Sequence, residues 1–304
     1  MGHLPFAVTA YLLNGIAVTI DKFLLSKQIP DPLTYVFYFS LISLATLLFI
    51  PFVEAPSLNI ILIASLSTLI WTIGAYFMFK ALQIGQVSRV IPVIGTLIPI
   101  FLLIKGFITG TINSGQTTAI LFLVLGLIFI TIFDWKGKIE KKEIVLEVGA
   151  AFFLALSYLI LRQAYLSEDG FLSVLIYSKP VLVPVGLALV LLPQTRARIF
   201  NAKIYNTSKS FFSLIKSKTA LLFGLGQISA GVSELLIVFS VSLADPALVN
   251  SLQGTQYVFL FFLNWGLSKK YPAIFSEDLV PKLLISKFLG IILIGVGLYL
   301  LAVS

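Results

Sequence analysis

Apolar residues occur in runs of about 18 to 25, and polar and basic residues gather in the short stretches between them. The runs fall at 4–24, 32–53, 57–83, 86–105, 115–134, 143–165, 171–193, 219–243, 246–267 and 283–303. As helices rising 1.5 Å per residue, runs of this length cross a hydrocarbon layer about 30 Å thick, so the pattern predicts about ten spans. Breakers such as Pro30-Asp31-Pro32, Pro51 to Pro56 and Glu168-Asp169-Gly170 mark the connections. None leaves room for a soluble domain. The longest, 194–218, repeats Phe200, Ile204, Phe211 and Ile215 among many cations. It reads either as a helix lying on lipid headgroups or as a solvated basic linker, and its Asn206-Thr207-Ser208 glycosylation sequon as a chance match.

Composition agrees with this pattern. Of 304 residues, 59% are hydrophobic and only 11% charged, with mean hydropathy +1.04, against about 25% charged in soluble domains. An integral membrane protein is expected. No cysteine is present, which excludes disulfide and thiolate chemistry. A net charge of +8 would suggest nucleic acid as the partner of a soluble domain, but here the cations sit between spans and act as a topology signal. Lys22, Lys27, Lys80, Arg89, Lys142, Arg196, Lys209, Lys270 and Lys287 fall at one face; only Lys105 and Arg162 sit near the other, whose loops carry Glu54, Glu168, Asp169 and Asp245. The positive-inside rule then places both termini outside a cell membrane crossed many times. The amino-terminal segment lacks a basic region and a small-residue cleavage site, and reads as a retained helix.

The halves share a layout, with residues 1–136 and 137–304 each holding five spans. With a shift of 159, Val90 meets Val249, Gly95 meets Gly254 and Thr96 meets Thr255, and each half closes on a glycine-bearing helix, 121–131 and 287–300. An odd number of spans per repeat forces opposite orientations, which is the inverted-repeat plan of many secondary transporters. The predicted fold is therefore an all-α integral membrane protein of ten transmembrane helices in two inverted five-helix repeats.

Ala81-Leu82, Gly85, Ser88, Pro92 and Pro99-Ile100-Phe101 are similar to the turn between the third and fourth helices of EamA-like ten-helix members of the drug/metabolite transporter superfamily. The chain departs from that pattern at Thr109-Gly110-Thr111, at Gln256-Tyr257, and in the charge bias that sets both termini outside where members of the family usually have them inside. The resemblance implies a small-metabolite exporter or exchanger with a central cavity, its fifth and tenth helices peripheral.

Candidate chemistry centres on Lys179 and Glu234, the two charges deepest inside apolar runs. A charge at a membrane helix centre costs about 2.5 to 3.5 kcal/mol and faces a partner, a bundle interior or a water path. Consecutive spans run antiparallel, so depth counts from a shared surface. Lys179 lies about eight residues into its run and Glu234 about nine from the end of its own, which sets both roughly 12 to 14 Å deep. Counting the same way brings Asn14, Ser157, Tyr158, Gln253 and Gln256 to this layer, and Asn250, Gln253 and Tyr257 form one stripe. Two readings of the pair stand: an ion pair fixing helix register, or a site in which Lys179 recognises an anionic group and Glu234 an ammonium group or a proton. Each polar neighbour is either interhelical glue or a substrate contact. Pro180 removes the donor to the Ile176 carbonyl, as Pro92 and Pro99 do for Ser88 and Gly95, so all three are candidate hinges. Asp21, Lys22 and Lys80 are expected near the basic face, where they can snorkel and serve gating or structural pairing rather than substrate contact. Arg89 is expected to be a topology anchor, and Trp71 a packing or lipid contact.

Metalloprotease, nucleophile-elbow and nucleotide-loop motifs are absent from the sequence, so neither an enzyme nor a cofactor is expected. The reading is a secondary transporter of a small polar or amphiphilic metabolite such as an amino acid, working in the bilayer with a coupling proton or counter-substrate. The rivals are a membrane-embedded lipid-modifying enzyme and a structural assembly partner.

Overall fold

A computed structural model of the chain describes residues 3–29, 31–109, 113–131, 140–166, 170–201, 218–243, 249, 252–275 and 280–304. Among these residues every regular element is helical. The long helices are α1 (Leu4–Gln28), α2 (Pro32–Phe52), α3 (Leu58–Ile84), α4 (Val87–Thr109), α5 (Ser114–Thr131), α6 (Lys141–Leu166), α7 (Leu172–Leu191), α8 (Lys218–Leu243), α9 (Gln253–Lys270) and α10 (Pro281–Val303). Eight of them are long and apolar enough to cross a membrane, which makes the chain a multi-pass membrane protein by length and composition. The exceptions have physical reasons. The apolar stretch of α5, Ser114–Ile130, is shorter, and α9 carries Gln253, Gln256, Asn264, Lys269 and Lys270. The short helix Pro193–Asn201 begins the long basic connection, and Arg198 pairs with Asp31 at 3.5 Å. Residues 202–217 of the headgroup helix expected within 194–218, with its sequon, the boundary between 136 and 137, and Asn250 lie outside the described residues.

Three helices change geometry along their length. α1 ends in a π turn, Leu24–Gln28. α2 tightens to 3-10 geometry over Ser43–Phe52, a run much longer than the three or four residues usual for that helix. Side-chain competition accounts for its start, since the Ser43 hydroxyl donates to the Ser40 carbonyl and the Thr46 hydroxyl to the Ser43 carbonyl at 2.6 Å. α7 is interrupted at Lys179–Val181, where Pro180 has no N–H to give. The irregular parts of α2 and α7 pack against each other.

Helix pairing is selective. α3 lies along α6 and α1 along α8; α4 packs on α6 and α1 on α9; α5 meets α10, α2 meets α7 and α4 meets α9. Glycine makes the closest crossings possible. A Cβ on Gly126 would stand 2.8 Å from the Gly290 carbonyl oxygen, and one on Gly290 would stand 2.7 Å from that of Gly126. Side chains cannot yield there, because the obstacle is backbone.

The turn between α3 and α4, at Gly85, gathers cations that the sequence assigned to snorkelling and topology. Lys22 is buried and donates to the carbonyls of Leu82 at 2.5 Å, Gln83 at 3.3 Å and Gly85 at 2.9 Å. It therefore caps α3, whose last carbonyls would otherwise lack donors. Arg89 folds back from the first turn of α4 onto Glu143 of α6 in a buried ion pair, beside Glu147. Lys287 of α10 donates to Gln86 and approaches Ser88 at 3.4 Å. This end of the bundle is closed by buried polar contacts.

Gly290→Val is expected to destabilise the protein by about 1 to 3 kcal/mol, as inserted methyls meet a fixed backbone. Thermal unfolding in detergent checks this, and an unchanged midpoint would contradict the crossing.

Candidate functional site

The break in α7 sets the position of Lys179. Its N–H bonds the Ile176 carbonyl, so the oxygen expected to be free beside Pro180 is taken by local 3-10 tightening. Its side chain reaches Glu234 of α8, with Nζ 3.1 Å from Oε1 and 3.4 Å from Oε2. The ammonium also stands 5.8 Å from the centroid of Trp71, at the middle of α3. Trp71 thus contributes a cation–π face, where packing or lipid contact was expected.

Tyrosines extend this pair inward. Tyr158 of α6 lies within electrostatic reach of Glu234, and Tyr11 and Tyr257 lie within reach of Tyr158. Asn14, one turn beyond Tyr11 on α1, donates to Gln256 of α9 at 3.5 Å. Gln253 and the Tyr257 hydroxyl both close on Gly95 of α4, where a Cβ would collide with that hydroxyl and stand 3.2 Å from Gln253 Nε2. Lys179, Glu234, Tyr158, Asn14, Gln253 and Gln256 therefore belong to one polar layer built by α1, α4, α6, α7, α8 and α9. Ser157 does not join it. Its hydroxyl is turned back to Leu154, and its carbonyl accepts from Ser67 across the α3–α6 contact.

Pro92 and Pro99 lie within a helical α4, whereas Pro180 sits at an actual break. Tyr11 was not singled out from sequence, and Thr96 entered only as the repeat match to Thr255. Tyr11 could have been found as the residue three before Asn14, on the same helix face. Thr96 is wholly buried, its hydroxyl has no hydrogen-bond partner among the described residues, and nothing in its local sequence marks that.

Burial separates Arg89–Glu143 from Lys179–Glu234. In Arg89–Glu143 the side chains are 5% and 4% exposed, whereas in Lys179–Glu234 they are 19% and 46% exposed. Leaving a buried charge without its partner costs about 3 to 5 kcal/mol, while exposed pairs contribute about 0 to 1 kcal/mol. The first pair is scaffold. The second keeps open surface on a carboxylate and an ammonium inside otherwise apolar helices, and can offer both charges to a ligand.

No protein-family model matches the chain, and no curated protein matches it.

Arg89→Met is expected to lower stability by about 3 to 5 kcal/mol and Lys179→Met by less than about 2 kcal/mol. Unfolding midpoints of the two variants give the order, and equal losses would mean that the second pair is as structural as the first.

Proposed function

We propose that the chain is a secondary transporter of a small polar or amphiphilic metabolite such as an amino acid, an exporter or exchanger of the EamA-like kind. One observation carries this reading: an accessible Lys179–Glu234 pair, joined to tyrosines and side-chain amides, lies along apolar helices far from the closed Gly85 end. From Trp71 to Gly85 is 14 residues along α3, or about 21 Å. Lys179 receives the anionic group of the substrate and Glu234 its ammonium, while Trp71 and Tyr158 flank the remainder. One end closed and a mid-depth site open is the arrangement expected of one state of an alternating-access carrier.

Helix pairing supports the inverted-repeat plan of ten spans. Exchanging α1–α5 with α6–α10 turns the α3–α6 contact into α8–α1 and the α4–α6 contact into α9–α1, and leaves α5–α10, α2–α7 and α4–α9 in place. The α3–α7 contact departs from this scheme. The reciprocal approach of Gly126 and Gly290 lies where a two-fold axis would pass. The breaks in α2 and α7 are paired by the same exchange, which makes these helices the moving parts beside the site. With the basic Gly85 end inside, both termini face outward.

The register reading remains the competitor, because both carboxylate oxygens of Glu234 are within reach of Lys179. Removing both charges separates the two. Lys179→Met with Glu234→Leu should fold and insert, since no charge is left unpaired. In cells and in vesicles offered a metabolite panel, the double variant is expected to lose flux by at least about 100-fold, which corresponds to about 2.7 kcal/mol. Wild-type flux by the folded double variant would leave the pair as scaffold. A tag placed after Ser304 should be reached by impermeant antibody in intact cells; a protected tag would reverse the orientation.

A further inference from the structure

Asp21, like Glu147 of α6, is a carboxylate buried in an apolar helix without an ion pair among the described residues, and it stands apart from the Lys179–Glu234 pair. It is 8% exposed, about 10 Å up α1 from Gln28. The Tyr35 hydroxyl of α2 donates to its Oδ1, and Gln227 of α8 hydrogen-bonds Tyr35 in turn. Phe79 and Phe223 pack on the Tyr35 ring with centroids at 4.8 and 5.0 Å. Residues of α1, α2, α3 and α8 thus meet around one carboxyl group in an aromatic box.

No cation among the described residues forms an ion pair with Asp21. On α1 itself, Lys22 is turned to the carbonyls of α3, and Lys27 is exposed in the π turn. On α3, Lys80 lies over Tyr76. On α4, Arg89 holds Glu143. On α9, Lys269 and Lys270 lie over Trp265 and Tyr271, and Tyr257 faces Tyr11. From α2 come Tyr35 and Tyr38, the latter against Phe223, and from α8 Gln227, with Lys218 exposed at the first residue of that helix and Glu234 paired to Lys179. Arg89–Glu143 shows what this protein does with a buried carboxylate that stays charged: it supplies a guanidinium. Asp21 receives a hydroxyl instead.

We infer that Asp21 is a proton-binding site of the α1–α2–α8 junction. The carboxyl group is the neutral acid while the junction is closed, with Tyr35 on Oδ1 and the proton on Oδ2. Ionisation breaks that O–H bond and passes the proton to water, and the bare carboxylate then favours an opened, hydrated junction. Gln227 and Glu234 are seven residues apart on α8 and share a face. Opening around Asp21 therefore moves the helix that carries half of the candidate substrate site. Resting on the transporter reading, this assigns the coupling proton to Asp21 and leaves Glu234 to the substrate.

Infrared difference spectra of the full chain in lipid vesicles, taken between acid and alkaline buffer, test the site with the proton itself as probe. The wild type is expected to lose a carboxylic C=O band on alkalinisation. That band should vanish in Asp21→Asn, move in frequency in Tyr35→Phe, which deletes one hydrogen bond, and persist in Glu234→Gln. Tyr35→Phe serves alone if Asp21→Asn does not fold. Spectra of both variants identical to the wild type would overturn the assignment. In flux assays Asp21→Asn should transport without pH dependence, and pH dependence that survives this change would overturn the coupling. A band that behaves as expected in a protein moving no metabolite would support the proton site and overturn the transporter reading instead.

Discussion

Hydrocarbon offers a charge or a backbone polar group nothing to bond, so every such group inside the bundle must find a partner, a proton or a path to water. The chain uses three solutions in three places. At the Gly85 turn, lysine and arginine are spent on helix ends and on Glu143, which fixes α1, α3, α4, α6 and α10 to one another. At mid-depth, Lys179 and Glu234 hold each other while remaining partly exposed. Between them, Asp21 accepts from the Tyr35 hydroxyl and has no ion pair among the described residues.

These solutions differ in what they permit. A fully buried ion pair resists separation, because each partner left alone is an uncompensated charge. A partly exposed pair can exchange partners at small cost, since water or a ligand replaces what is lost. Motion is therefore expected around α2, α7 and α8, where the helices are broken or lightly covered, and rigidity where α3 meets α6 and α5 meets α10. The 3-10 stretches support this division, because their poorer hydrogen bonds make a bend easier there than in continuous α-helix.

Much of this was legible in the sequence, for physical reasons that can be named. Length and hydropathy gave the spans, because the bilayer imposes both. Antiparallel succession made depth countable, so Lys179 and Glu234 could be set in one layer before either was seen beside the other. Tertiary partners were harder to read. Lys22, Arg89 and Lys287 were all placed at a basic face, and folding gives each a partner that the sequence did not name: the turn at Gly85 and Gln86 accepts from Lys22 and Lys287, and Glu143 of α6 accepts from Arg89. Glu143 and Glu147 at i and i+4 of an apolar helix were a signal available in the sequence and passed over. The Ile176 carbonyl illustrates a different limit: Pro180 does remove a donor, but the local helix tightens and supplies another. The glycine crossing of α5 and α10 was visible only as glycine content, because its register depends on both partners.

The central claim is that the Lys179–Glu234 layer faces water and not lipid, and the absence of cysteine from the chain makes it directly measurable. Tyr158→Cys would place one thiol beside Glu234, at a residue that is 45% exposed. A water path predicts rapid modification by a small, charged, membrane-impermeant thiol reagent added from the side opposite the basic Gly85 end, slowed by substrate. Modification by lipid-soluble reagents alone would contradict it and turn the pair outward to the bilayer.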